Sequence, residues 1–182
     1  DRRDVPAVTA TFSAATGTLT LDVMSNDLGG NAKSLFSVFE GDGDLIDDDF
    51  ELLCKDVDST GCSPWERTFE GNWVRINNGK IEYRIAVEGS DDPDDALPID
   101  ALPQSTEPFT DQFVYAIRLG NGTLSEAIVQ IQITGENGGP EVVAEIADAA
   151  TNEDAAYSYD ASANFDDIDL GDELSYSATG LP

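Results

Sequence analysis

The sequence predicts an all-β protein, an antiparallel, Greek-key-like β-sandwich with long Asp-rich loops. Two observations predict it: apolar and polar residues alternate with period two in several short runs, and clusters of Gly, Asn and Asp separate these runs. No segment shows the apolar spacing of an amphipathic helix. Several short strands with frequent turns are typical of a sandwich.

The predicted strands follow one another with turn residues between them. Alternation marks four of them, at residues 18–21, 80–87, 113–117 and 127–133. The segments Asn78-Gly79 and Gly120-Asn121-Gly122 suit tight hairpin turns, because Asn and Gly tolerate the positive φ that such turns need. The strands on either side of each turn are therefore expected to pair.

A domain boundary is predicted at residues 136–140, where Glu-Asn-Gly-Gly-Pro has the composition of a linker. Residues 1–135 form the first sandwich. Within it, residues 39–109 alternate poorly, and we expect a loop-rich insert that carries a ligand-binding site. Residues 141–182 are too short to bury a stable core alone, so we expect the first strands of an incomplete second unit.

The chain is strongly acidic, with 37 Asp and Glu against 9 Lys and Arg, no His and a formal net charge of -28. Because no basic face exists to meet phosphates, nucleic acid and direct membrane binding are excluded. Disorder is disfavoured, since 40% of the residues are hydrophobic. Several Ca²⁺ ions are the predicted cofactor, because Ca²⁺ binds carboxylate and carbonyl oxygens and needs no His or Cys.

Two further observations bear on where the chain works. It has no apolar run of membrane-spanning length and no signal peptide at its start, so we expect a piece of a longer polypeptide. Cys54 and Cys62 flank a short polar loop. They either close a local disulfide, which an oxidising exterior permits, or remain two free thiols.

The acids are grouped at predicted turns, as a cage of oxygen ligands requires. The most specific group is Asp167, Asp169 and Asp172, where Gly171 supplies a sharp turn. The predicted metal ligands are Asp27, Asp42, Asp44, Asp47, Asp91, Asp92, Asp94, Asp111, Glu136, Asn137, Glu153, Asp167, Asp169 and Asp172. The alternative for every group is a charged loop that only keeps the protein soluble.

A ligand site is predicted in the insert. A Ca²⁺ held by residues 42–49 and 91–95 would offer open coordination positions to a ligand carboxylate or hydroxyl groups. The predicted ligand-binding residues are Trp65, Asp92, Asp94 and Asp95. Trp65 follows Ser-Pro and is expected to be exposed, whereas Trp73 lies in an apolar run and is expected in the core.

Parts of the sequence resemble a known family. The run from Leu21 to Leu35, with Asn26-Asp27 inside it, resembles the opening of VCBS-type repeats, and the run from Asp111 through Gly135 resembles their closing strands. The segment from Pro140 onward is similar to the start of a cadherin-like repeat. Such repeats occur in very large bacterial RTX adhesins that are exported by type I secretion.

The resemblance implies an extracellular position on a bacterial surface and a second, cadherin-like sandwich that begins at residue 141. It also implies Ca²⁺ in loops and at joints with neighbouring repeats. Carried over by motif, the ligands are Asp27, Asp111, Glu153, Asp167, Asp169 and Asp172. Asn137-Gly138-Gly139 stands where related repeats usually read Asn-Asp before the Pro, so this joint lacks one ligand.

Three functions compete. The first is a calcium-dependent adhesin module that binds a peptide, through its C-terminal carboxylate, or a glycan on a host or neighbouring cell. The alternative is a structural extender repeat that Ca²⁺ makes rigid. An enzyme is not expected, because without His a Ser or Cys nucleophile lacks its usual base and no constellation of residues has identifiable roles.

Overall fold

The computed structural model describes residues 9–13, 16–26, 33–39, 56–102, 108–135, 137–152 and 154–179. The chain divides into two units, Asp1–Ile99 with Glu107–Ile133, and Asp100–Thr106 with Thr134–Pro182. The second unit therefore includes a segment, Asp100–Thr106, that was predicted to belong to the insert of the first sandwich.

The first unit is built from antiparallel strands, as the sequence predicted, and the described residues contain no α-helix. Its strands are β1 (Thr9–Ser13), β2 (Thr18–Asp22), β3 (Lys33–Phe39), β4 (Glu66–Arg67), β5 (Trp73–Asn77), β6 (Lys80–Ala86), β7 (Ala96–Leu97), β8 (Phe109–Leu119) and β9 (Leu124–Ile133). Short 3₁₀ turns lie at Val23–Asn26 and Ile99–Ala101. The all-β prediction is confirmed.

These strands form two sheets. One has the order β1-β2-β6-β5-β4, with β7 paired to the end of β6, and the other has the order β3-β8-β9. This strand order matches that of an immunoglobulin-type sandwich. In the larger sheet, β1, β2, β6 and β5 correspond to strands A, B, E and D, and in the smaller sheet β3, β8 and β9 correspond to strands C, F and G. The chain thus crosses between the sheets after β2, after β3 and before β8.

The segment predicted as a loop-rich insert supplies four of the six strands of the larger sheet, β4 to β7. The hairpin of β5 and β6 closes at Asn78-Gly79, where both residues have positive φ (49° and 76°) and Trp73 pairs with Arg84 at the other end. The described part of residues 39–109 is therefore sheet as well as loop.

The core of the first unit lies between the sheets, where β3 contacts β4 and β5. Alternate residues of the β5–β6 hairpin face it: Val74, Ile76, Ile81 and Tyr83 are at most 1% exposed, as is Phe113 on β8. Burying each such side chain contributes about 1.5–3 kcal/mol. The alternation seen in the sequence at residues 80–87 thus marks the inner face of β6.

The second unit contains little regular structure in its described part. Its strands β10 (Glu141–Val142) and β11 (Phe165–Asp166) form one antiparallel pair. Backbone hydrogen bonds from Val143 and Ala144 to the carbonyl of Asn164 extend this pairing. The pair brings the segment after the predicted linker beside the Asp-rich loop that follows β11.

Candidate metal centre

The loop from Asp167 to Asp172 gathers three carboxylates. Asp167 accepts a hydrogen bond from the backbone N–H of Asp169 at 3.0 Å, and the N–H of Asp172 donates to the Asp169 carbonyl at 3.3 Å. Gly171 turns the chain with a φ of 90°, a conformation that favours Gly. As a result, one oxygen each from Asp167, Asp169 and Asp172 lies within 4.8 Å of the others.

Asp169 is the buried member of this group, with 4% of its surface exposed. Its Oδ2 accepts a hydrogen bond from the backbone N–H of Gly138 at 2.6 Å, but its Oδ1 is buried and has no hydrogen-bond partner. A buried carboxylate oxygen without a donor is costly, and such oxygens usually meet a cation or a donor. The loop is therefore suited to bind a cation, which would offset the charge of this buried oxygen.

Gly138 lies close to the Asp169 carboxylate, and its lack of a side chain suits this approach. A Cβ there would lie 3.4 Å from Oδ2 of Asp169 and 3.3 Å from a methyl carbon of Ile168, closer than most Cβ contacts. The small residue lets the backbone approach the carboxylate and donate to it. At the position where the resemblance to VCBS-type repeats implies a missing ligand, the structure thus has a backbone donor to Asp169.

The chemistry of this donor set fits Ca²⁺. Three carboxylates are hard oxygen ligands, and Ca²⁺ takes six to eight oxygens, with backbone carbonyls and water filling the remaining positions. Residues 134–182 contain no Lys or Arg to neutralise the three acids. Among the residues that the structure describes, this is the single group of acids that converges in this way.

The acids at residues 91–95 are engaged otherwise. Arg67 forms an ion pair with Asp91 at 3.0 Å, and Arg84 forms one with Asp94 at 2.7 Å. Asp92 accepts a hydrogen bond from the Asp94 N–H at 2.9 Å, which closes a turn, and Asp95 is exposed. The structure therefore brings these acids to two arginines rather than to a common point.

Trp65 is half-buried rather than exposed. The guanidinium groups of Arg75 and Arg84 lie 4.3 Å and 4.8 Å from the centre of its ring. Arg67 stacks on Trp73 in the same manner, at 3.4 Å, and Trp73 is buried beneath it. These arginines lie on strands of the larger sheet, and the guanidinium groups of Arg75 and Arg84 cover the ring of Trp65 that was expected to be open.

Asp111, which was predicted as a metal ligand, is a buried acceptor of hydrogen bonds in the first unit. Its Oδ2 receives the Thr68 hydroxyl at 2.6 Å, the Asn72 amide at 2.9 Å and the Tyr83 hydroxyl at 2.9 Å. Its Oδ1 receives the N–H groups of Glu70 and Gln112 at 3.0 Å and 2.7 Å. Five donors occupy this carboxylate, so the structure gives it a role as a link between the two sheets.

Tyr83 is held as a donor in this network. Burial raises the pKa of its hydroxyl well above the ordinary value, and the adjacent Asp111 carboxylate raises that pKa further. The sequence indicated Tyr83 only as an inward position of a strand. Nothing in it pointed to Thr68, Asn72 or Tyr83 as partners of Asp111, because 28 to 43 residues separate them from it.

The remaining predicted residues divide into two groups. Asn137 is exposed, and its side-chain amide donates to the carbonyl of the next residue, Gly138. Six predicted ligands and one cysteine lie outside the described residues: Asp27, Asp42, Asp44, Asp47, Glu136, Glu153 and Cys54. Cys62 has a free thiol, which donates to Oδ1 of Asn77 at 3.1 Å.

No protein-family model matches the chain, and no curated protein or solved structure is detectably similar to it. The resemblance to adhesin repeats stays a prediction from the motifs quoted above. Within the described residues, no helix has the length and apolar character needed to cross a membrane.

Proposed function

We propose that this chain is an extracellular, calcium-binding structural module of a bacterial RTX-type adhesin. The observation that carries the calcium proposal is the convergence of Asp167, Asp169 and Asp172 around a buried, unpartnered carboxylate oxygen. The extracellular and bacterial part rests on the sequence resemblance alone. The function proposed is mechanical: the ion orders the chain, and no reaction is assigned to it.

The loop is placed to transmit the effect of an ion to other segments of the second unit. Asp169 is hydrogen-bonded to Gly138, and the N–H of Leu170 donates to the Ala101 carbonyl at 3.1 Å. An ion held by the three carboxylates would fix these contacts and remove the repulsion among the acids. Two segments distant in sequence, at residues 101 and 138, would become ordered together with the loop.

The ligand-binding alternative has less support. It was predicted as a Ca²⁺ held by residues 42–49 and 91–95, with open coordination positions and an exposed apolar wall at Trp65, and residues 42–49 lie outside the described part of the chain. Asp91 and Asp94 instead pair with arginines, and two guanidinium groups cover Trp65. The structural extender is therefore the function that we propose for the described part of the chain.

Titration calorimetry with CaCl₂ tests the proposal. We expect the unaltered chain to bind Ca²⁺ and the Asp169→Asn variant to lose one binding event or to bind that ion at least about tenfold more weakly, since it loses a charged ligand. Asp148→Asn is the matched control, because Asp148 is an exposed acid of the same unit. Identical titrations for the unaltered chain and Asp169→Asn would contradict the proposal.

A further inference from the structure

The second unit contains a groove of about 650 Å³ that is lined mainly by apolar and aromatic side chains. Its principal lining residues are Ile146, Tyr157, Tyr159, Phe165, Leu174 and Tyr176. The volume lies in the range of clefts that bind ligands, about 300–1,000 Å³. All of these residues belong to the second unit, and none is a carboxylate of the candidate metal centre.

The aromatic rings of the groove remain about half exposed. Tyr157, Tyr159 and Tyr176 have 56%, 48% and 49% of their surfaces open. The Tyr159 hydroxyl donates to Asn164 at 2.7 Å, and the rings of Phe165 and Tyr176 pack with centroids 5.9 Å apart. Two of the three tyrosines are thus held in place before any partner binds, which lowers the entropic cost of binding.

Acidic residues surround this apolar surface. Six lining residues have an exposed acid as an immediate neighbour in the chain, and the five acids concerned are Glu141, Glu145, Asp160, Asp166 and Glu173. Adjacent Cα atoms are about 3.8 Å apart, so the backbone of each acid lies beside that of a lining residue, and we call these five acids the acidic margin of the groove. Residues 134–182 carry twelve Asp and Glu and no Lys or Arg, so no basic residue of that segment offsets them.

We propose that this groove binds a cationic peptide segment of a partner protein, with an apolar side chain among the aromatic rings and Lys or Arg residues against the acidic margin. The apolar lining provides the contact area, and the acidic margin selects the partner by charge. Tyrosine faces also attract cations directly. A second copy of this chain fits poorly, because each copy has a net charge of -28.

Fluorescence anisotropy with labelled synthetic peptides tests the proposal, at one fixed Ca²⁺ concentration in every arm. The probes share a Leu-Tyr-Leu core that is flanked by Lys, by Glu or by Ser. We expect the Lys-flanked peptide to bind at least about tenfold more tightly than the Glu-flanked one, and salt to weaken it. Equal affinity for the three peptides, or no binding of the Lys-flanked peptide, would overturn the proposal.

Variants of the groove separate its two components. Tyr157→Ala should weaken the Lys-flanked peptide about tenfold, and Tyr157→Phe should retain it, because the ring provides the contact. The double charge reversal of Glu145 and Glu173 to Lys should remove the preference for Lys over Glu. Val143→Ala is the control, since Val143 is exposed but does not line the groove.

The outcome is independent of the metal proposal. Asp169→Asn leaves every lining residue intact, so a chain that lacks the ion but folds should still prefer the Lys-flanked peptide. Sedimentation of the free chain provides a second check on the occupant. Concentration-dependent dimers that Tyr157→Ala abolishes would show that the groove joins two copies, and the peptide proposal would then be wrong.

Discussion

At the scale of single residues, Asp111 shows how one carboxylate joins two sheets. It lies on β8 of the smaller sheet, and its partners Thr68, Asn72 and Tyr83 lie on or beside β4, β5 and β6 of the larger sheet. Hydrogen bonds to a charged acceptor are stronger than neutral ones, about 1.5–3 kcal/mol each. Because all of these groups are buried, removing the acceptor leaves donors that water cannot reach.

We expect Asp111→Asn to lower the free energy of unfolding by about 2–4 kcal/mol, because the amide keeps one acceptor oxygen and turns an N–H₂ group toward the donors. Urea unfolding provides the measurement. The loss should be the same with Ca²⁺ and with chelator. A loss seen only with Ca²⁺ would instead make Asp111 a metal ligand. Asp95→Asn, at an exposed position, should change stability by about 0.5 kcal/mol or less.

The raised pKa of Tyr83 predicts a loss of stability in alkali. The unfolded chain releases this proton near about pH 10, whereas the folded chain retains it, so the folded state binds more protons above that pH. The contribution is therefore complete below about pH 10 and declines as the pH rises toward the folded-state pKa. Urea unfolding above about pH 9 should show a shallower decline for Tyr83→Phe. Parallel curves for the two chains would contradict this.

The candidate site was predictable where its residues are close in sequence. Asp167, Asp169 and Asp172 lie within six residues, and a turn at Gly171 is enough to bring them together. Asp111 has a residue type suited to Ca²⁺, but its role depends on donors from other strands. The sequence cannot show that pairing, because strand order decides which donors reach the carboxylate.

At the scale of elements, the hairpin of β5 and β6 is the best-specified feature of the larger sheet. Asn78 and Gly79 both adopt positive φ, which gives a two-residue turn whose twist matches that of the strands. Val74, Ile76, Ile81 and Tyr83 then fall on one face. The turn and the apolar inner face specify the same pairing of the two strands, so the register of the hairpin is well defined.

Gly79→Ala should destabilise the chain by about 1–2 kcal/mol, because a Cβ is unfavourable at its φ of 76° although its nearest contact is 4.0 Å away. Gly139→Ala is the matched control: no positive φ is found there and no atom lies within 4 Å of the added Cβ. Thermal unfolding of the two variants checks this. Equal midpoints would mean that the turn conformation does not limit stability.

The strands of residues 56–97 were harder to predict than this hairpin. β4 and β7 have two residues each, too few to show alternation. Trp73 lies on the outer face of β5, yet it is buried, because Arg67 covers its ring and excludes water. Patterns in the sequence assign an apolar residue to the core, so a Trp that is buried beneath an arginine on the outer face breaks the expected alternation.

At the scale of the whole molecule, the net charge of -28 opposes folding wherever no cation offsets it. Three arginines of the first unit, Arg67, Arg75 and Arg84, form ion pairs with Asp91, Glu82 and Asp94. Residues 134–182 contain no basic residue at all. Protection from self-repulsion is therefore distributed unevenly along the chain.

Salt should stabilise the chain when chelator is present. Raising NaCl from about 0.01 M to about 1 M shortens the Debye length from about 30 Å to about 3 Å and screens the repulsion among carboxylates. We expect a higher midpoint of thermal unfolding at the higher concentration. Near about pH 4 the effect should shrink, because Asp and Glu are then partly protonated. A midpoint independent of salt at neutral pH would contradict the prediction.

The all-β class and its antiparallel pairing were predictable from alternation and turn residues. The division into units was not, because the second unit also takes Asp100–Thr106 from between β7 and β8. That assignment depends on contacts such as the one between Leu170 and Ala101, which are 69 residues apart by their numbers. Composition marks linkers, but it does not show that a segment returns to an earlier unit.

The stacked tryptophans have a practical consequence for spectroscopy. Trp65 and Trp73 both belong to the first unit, whereas the aromatic residues of the second are Tyr157, Tyr159, Phe165 and Tyr176. Emission excited at the red edge of absorption therefore reports on the first unit alone. Tyrosine bands in near-ultraviolet circular dichroism include the second. Tyr83 and Tyr115 of the first unit contribute tyrosine bands too, so a metal ion or a peptide that acts on the second unit should be recognised by a change in the tyrosine signal while the tryptophan signal stays constant.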